Sequence, residues 1–162
     1  MVIQLQFNLC DFRKNEDKTP QDYVKIFFKN NIKTEVVLVG HSIDGNNIYG
    51  VTADEIIPNE DVYLIWIYCC HSANYLCEKI TDRGYLTIGY VRKILTFSYR
   101  IPIEVSYVEK NIKSLMGEKI EFIEAELKQK MFECAKKEIK KGEFLLAAIL
   151  NYNRLSMKVF QK

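Results

Sequence analysis

Two short stretches carry the side chains that could do covalent chemistry. "VVLVGHSIDG" brings His41 and Ser42, and "LIWIYCCHSAN" brings Cys69, Cys70 and His71. A hydroxyl or thiol becomes an effective nucleophile once a neighbouring base takes its proton, and histidine is the usual base. His41 and His71 are the chain's 2 histidines, so two pairings are open: Ser42 served by His71, or Cys70 served by His41.

The serine pairing requires a Gly-x-Ser-x-Gly elbow on a tight strand-to-helix turn, with its histidine well downstream and after an acidic residue. Here Asp44 occupies the second glycine position, Gly45 comes one residue late, and His71 closes the very next apolar run. A chain of 162 residues is also short for an α/β-hydrolase esterase. That esterase reading, with Ser42 as nucleophile, is the minor alternative. In the thiol pairing, His41 ends one apolar run and Cys70 ends the next. Parallel sheets gather functional groups outside the carboxyl ends of their strands. Neighbouring strands would therefore present the imidazole and the thiol to one crevice.

Adjacent strand residues point to opposite faces, which separates Cys69 from Cys70. Three consecutive residues at a strand end cannot converge on one ion, and zinc wants four ligands, so Cys69, Cys70 and His71 are not expected to hold a metal. No cofactor is expected. "HSANYLCEKI" reads as a helix start with Ser72 as its cap, whose dipole would favour a Cys70 thiolate. Asp44 and Asp54 read as turn formers or caps beside His41. Arg83, Arg92 and Arg100 fit either a pocket for an acidic side chain or a solvated face, and Trp66 reads as core.

The elements that must position these groups alternate. Residues 2–9 read as a half-buried strand, and "TPQDYVKIFFKNN" as a helix with Thr19 at the N-cap and Pro20 at its first position. "TEVVLVG" is a fully apolar strand, "DGNNIYGV" a short strand among turn residues, and "TADEIIP" one helical turn stopped by Pro58. "DVYLIWIYCC" and "YLTIGYV" are buried strands on either side of the helix "SANYLCEKITDRG". From Ile103 the chain turns mainly helical. "GEKIEFIEAELKQKMFECAKKEIKKG" aligns Ile120, Ile123, Leu127, Met131, Cys134 and Ala135 on one stripe and stops at Gly142. "EFLLAAILNY" is a last helix and "LSMKVF" a closing strand. This order predicts an α/β fold, residues 1–162 as one domain, with a mostly parallel central sheet flanked by helices on both faces.

Composition narrows the class of function. With 48% hydrophobic and 27% charged residues the chain is ordinarily globular. A net charge of +2, with lysines interleaved among glutamates, gives no ground for a nucleic-acid partner. The N-terminal residues lack the pattern of a signal peptide, and no apolar run approaches the roughly 20 residues that span a bilayer, so a cytoplasmic protein without a membrane partner is expected. The 5 cysteines, Cys10, Cys69, Cys70, Cys77 and Cys134, are irregularly spaced and read as reduced thiols, mostly buried.

Taken in order, these segments resemble the caspase-like (caspase/CHAT-type) cysteine peptidase domains. "VLVGHSIDGNNIYGVTADEI" resembles the segment in which an apolar strand runs into the catalytic histidine, followed by a glycine-bearing turn and a short strand. "VYLIWIYCCHSANYL" resembles the strand that ends in Ala-Cys-x-Ser/Thr-Ala/Gly. "GYLTIGYV" is similar to the strand after the nucleophile's helix, and "ILNYNRLSMKVF" to the terminal helix–Asn–strand. The resemblance spans roughly residues 35 to 160. It implies a caspase-like fold with a Cys-His dyad at the carboxyl edge of the sheet. Cys70 falls at the nucleophile, His41 at the base, Cys69 at the small position, His71 at the variable one and Ser72–Ala73 at the small pair. The backbone N–H groups of Ser42 and Cys70 would hold the oxyanion; Ser42 stands where the family has glycine. The implied activity is hydrolysis of a peptide bond in a protein or peptide substrate, gated by a regulatory protein partner or second subunit. The alternative is a caspase-like domain without catalysis that serves as a binding or regulatory module.

Overall fold

The computed structural model describes residues 3–6, 19–30, 35–58, 60–95, 114–115 and 117–162. Its sheet is built from β1 (Ile3–Gln6), β2 (Glu35–Val39), β5 (Leu64–Tyr68), β6 (Leu86–Tyr90) and β7 (Met157–Phe160), in the order β1-β2-β5-β6-β7. The first four run parallel, and β7 joins antiparallel to β6. The expected α/β architecture with a mostly parallel sheet is therefore present. Cys10, Arg100 and the segment expected to begin the helical part at Ile103 lie outside the described residues, as do positions 2 and 7–9 of the expected first strand.

Local sequence explains each element. Helix α1 (Pro20–Asn30) starts where expected: the Asp22 amide donates to Thr19 Oγ1 at 3.3 Å, and Thr19 N–H donates to Asp22 Oδ2 at 2.9 Å. This reciprocal cap satisfies donors that a helix start leaves free. Val24 and Phe28, one turn apart, face the sheet. The stretch expected as one short strand is a hairpin, β3 (Asn47–Ile48) and β4 (Val51–Thr52), turned at Tyr49 and Gly50, both at positive φ. A 3₁₀ turn at Ala53–Glu55 follows, close to the expected helical turn.

Strand alternation sorts the core into two layers. Val36, Leu38, Ile65, Ile67 and Cys69 face α1, the hairpin and α2 (Leu76–Thr81). Val37, Leu64, Trp66, Tyr68, Leu86, Ile88 and Tyr90 face α3 (Ile120–Lys140), which presents Ile123, Leu127 and Met131. Trp66 is core, as expected. Cys134 and Ala135 continue that stripe beyond the sheet and pack on Ala147 and Leu150 of α4 (Phe144–Ser156). The strand order is sequential and α1, the hairpin and α2 all lie on one face. That is the outcome when every crossover is right-handed and each strand is added on the same side. The opposite face is left for α3. Among the described residues no helix is long and apolar enough to cross a membrane.

Candidate active site

The β2–β5 pairing decides which groups meet. Its register ends with Val39 opposite Tyr68, and the Gly40 amide donates to the Tyr68 carbonyl at 3.3 Å beyond it. His41 and Cys70 each lie two residues past the Val39–Tyr68 pair. They leave the carboxyl edge of the sheet side by side, from adjacent parallel strands.

The two loops that follow are locked together. Leu76 N–H donates to the Gly45 carbonyl at 3.1 Å. Gly45, at φ +82°, lies so close to the next turn that a Cβ there would come within 2.1 Å of the His71 carbonyl oxygen. Only glycine allows both the conformation and the approach. The loop that carries His41 thus rests on the residue that follows Cys70. The His41 ring is exposed and stands edge-on to Tyr49, with ring centroids 5.4 Å apart. Cys70 is half-buried, whereas Cys69 is buried in the opposite layer with Ile65 and Ile67. Burial, and then the neighbouring Cys70 thiol, push the Cys69 thiol up to about 12. Burial likewise raises Cys77. Cys69, Cys77 and Cys134 are buried and form no disulfide.

Ser42 does not sit on an elbow. Its Oγ accepts a hydrogen bond from Gly45 N–H at 2.9 Å, which folds the side chain into its own loop. The chain then enters the β3–β4 hairpin, where an esterase elbow would require a helix. His71 is turned elsewhere: its Nδ1 lies 3.3 Å from the Val91 carbonyl and its N–H donates to the Arg92 carbonyl at 3.2 Å. His71 is itself in the left-handed region, at φ 59°.

Ser72 was expected to cap a helix. Instead the chain passes through a 3₁₀ turn (Ser72–Asn74) before α2 begins at Leu76, and the Ser72 hydroxyl points inward. It donates to the carbonyls of Ile67 and Cys69, at 3.0 and 3.1 Å, and accepts from Tyr90 N–H at 3.0 Å. The helix-dipole argument for Cys70 therefore loses its helix: three residues of 3₁₀ turn intervene, and α2 has only 6 residues. Ser72 ties the end of β5 to the end of β6. Gly89 makes room for it, since a Cβ at 89 would lie 2.8 Å from Ser72 Oγ and 2.3 Å from Cys77 Sγ.

The flanking charges are structural. Asp44 accepts from Asn46 N–H and Nδ2 at 3.0 and 2.9 Å, and these bonds hold its carboxyl below the usual aspartate value. Arg83 does not line an acid-binding pocket: its guanidinium donates to the Ala53 and Ile56 carbonyls and pairs with Asp54 at 2.8 Å. Arg92 is exposed. A cleft lined by Asn46, Thr52, Ala53, Asp54, Tyr75 and Lys79 opens on the flank of the Gly45–Leu76 contact.

One residue of this region, in the stretch that resembles the terminal helix–Asn–strand, has no role assigned from sequence. Asn153, fully buried, donates from Nδ2 to Tyr68 Oη and to the Leu95 carbonyl, both at 2.8 Å, and accepts from Leu95 N–H at Oδ1 at 2.9 Å. The signal was an amide at helical spacing from Ala147 and Leu150, on the stripe that α4 buries. The chain matches no protein-family model, no curated protein and no solved structure.

Proposed function

We propose that this chain is a caspase-like cysteine peptidase in which Cys70 is the nucleophile and His41 the base. The observation that carries the reading is the β2–β5 register, which sets His41 and Cys70 at neighbouring carboxyl ends of parallel strands. A mostly parallel sheet with helices on both faces, and these two residues at its carboxyl edge, is the arrangement that the resemblance implies.

The chemistry follows from the two groups. His41 takes the thiol proton, Cys70 Sγ attacks the scissile carbonyl carbon, and a C–S bond forms while the carbonyl oxygen gains the negative charge. Backbone N–H groups of Ser42 and Cys70 face that charge. As the C–N bond breaks, protonated His41 gives its proton to the leaving amine. Water then hydrolyses the thioester and returns the free thiol. Ser42 stands at the family's glycine position, and the turn of its Oγ towards Gly45 directs the side chain into its own loop.

A library of fluorogenic peptides tests this, with the purified chain assayed alone and in extract from the source cells. Cys70→Ala is expected to abolish cleavage with an unchanged far-UV spectrum and melting point, and His41→Ala to reduce it by about 10²-fold or more. Cleavage that survives Cys70→Ala would overturn the assignment. Absence of cleavage under both conditions would favour a binding module of the same fold.

A further inference from the structure

We infer that Asn153 is a positioning residue for Cys70, acting through the strap Val91–Leu95; the inference rests on the peptidase reading for its reaction. The observations form a continuous path. Strand β6 ends at Tyr90, and Val91 N–H donates to the Ser156 carbonyl at 2.8 Å, extending the β6–β7 ladder by one step. The chain then passes the turn after β5, where the Arg92 carbonyl accepts from His71 N–H at 3.2 Å and the Val91 carbonyl lies 3.3 Å from His71 Nδ1. It reaches α4 at Leu95, where Asn153 grips both its N–H and its C=O.

An asparagine side chain that bonds both groups of one residue imitates a strand partner, and it fixes the strap's rotation as well as its distance. The third bond, from Nδ2 to Tyr68 Oη, ties the same amide to the last residue of β5, two before Cys70. Asn153 is thus bonded to both pieces of chain that converge on the Cys70 turn. The turn needs such support. His71 carries a side chain in the left-handed region, a strained conformation that persists only when its surroundings hold it. His71 is bonded to the strap at two atoms, and Asn153 holds the strap's far end. Asn153 touches neither substrate nor nucleophile; it sets where the Cys70 turn sits.

The test reads Cys70 itself. In the full chain, the rate of Cys70 alkylation by iodoacetamide is followed against pH by peptide mass spectrometry, beside peptide turnover. Asn153→Ala, checked as folded at the assay temperature, is expected to lower kcat about 10- to 100-fold with KM little changed, and to shift the pH profile of Cys70 alkylation. Asn153→Asp keeps an acceptor for Leu95 N–H but sets a buried carboxylate against the Leu95 carbonyl, and is expected to lower kcat at least as far as Asn153→Ala. Asn153→Leu, branched at the same carbon, removes all three bonds while filling the space that Asn153→Ala empties. It is expected to shift the alkylation profile in the same direction, and it decides the question if Asn153→Ala does not fold. An alkylation profile identical to the parent's in a folded Asn153→Ala or Asn153→Leu overturns the inference. Alkylation needs no peptidase activity. A parent chain that cleaves nothing would therefore sink the peptidase reading while alkylation still decides the role of Asn153.

Discussion

Cys69 and Cys70 are adjacent in sequence and opposite in circumstance, and strand alternation is the reason. Cys69 completes the apolar layer that faces α1 and α2, and its pKa near 12 leaves almost no thiolate at neutral pH. Cys70 falls beyond the last paired residue of β5 and stays half-buried. Iodoacetamide at pH 8 is therefore expected to modify Cys70 in the folded protein and to leave Cys69 and Cys77 untouched until denaturant is added; digestion and mass spectrometry read the three sites separately. Modification of Cys69 ahead of Cys70 would contradict the assignment of layers. The sequence separated these two thiols because period-two alternation survives to the end of a strand. It did not locate Ser72, because a serine just before a helical pattern has the same letters whether it caps the helix or turns inward to bond strand-end carbonyls. Nor did it assign a role to Asn153, whose partners lie 58 and 85 residues away in the chain.

At the scale of elements, the paired apolar strands and the amphipathic helix α3 were legible because short β-branched apolar runs between turn residues mark buried strands, and a long stripe at helical spacing marks a helix. The boundary between α4 and β7 was not. Leu155, Met157 and Val159 alternate as a strand does, yet Leu155 and Ser156 remain helical and only Met157–Phe160 pair with β6. The contact between the His41 loop and the Cys70 turn depends on a residue without a side chain. Gly45→Ala would need a positive φ and would drive a methyl into the His71 carbonyl. A loss of about 2 kcal/mol or more is expected in urea unfolding, with Cys70 reactivity altered in whatever fraction remains folded. Gly50→Ala, which meets only Gln21 Nε2 at 3.9 Å, is the control for the strain of a positive φ alone. Equal losses at the two positions would show that the packing against His71 matters little.

For the molecule as a whole, Glu124 joins the long helix to the last strand. Its carboxylate bonds Lys128 Nζ at 2.6 Å, lies 3.4 Å from Lys158 Nζ and accepts from Val159 N–H at 3.2 Å. Burial pushes its pKa up, but the Lys128 and Val159 hydrogen bonds and the two lysine charges together hold it below the ordinary glutamate value. A depressed pKa stabilises the folded state above the ordinary value of about 4.3, and the contribution disappears as pH falls through the lower folded value. Glu124→Gln is expected to cost about 1 kcal/mol at pH 7 and progressively less below pH 4, read from urea midpoints at each pH. A constant difference across that range would remove the charge from the explanation.

Strand β7 has a further consequence for how copies of this chain behave towards one another. Among the described residues it closes the sheet as an edge, four residues long; Glu124 already takes the Val159 N–H, and such an edge offers its remaining amides and carbonyls to any other strand it meets. Met157 and Val159 are committed to the interior, and Lys158 between them is exposed. A lysine at that place makes stacking of two such edges costly, because the charge would be stripped of water or set against its equal. Lys158→Val loses the 3.4 Å contact with Glu124 at a small cost, since that lysine is exposed, and should leave the monomer folded in dilute solution but prone to self-association as concentration rises, visible by light scattering.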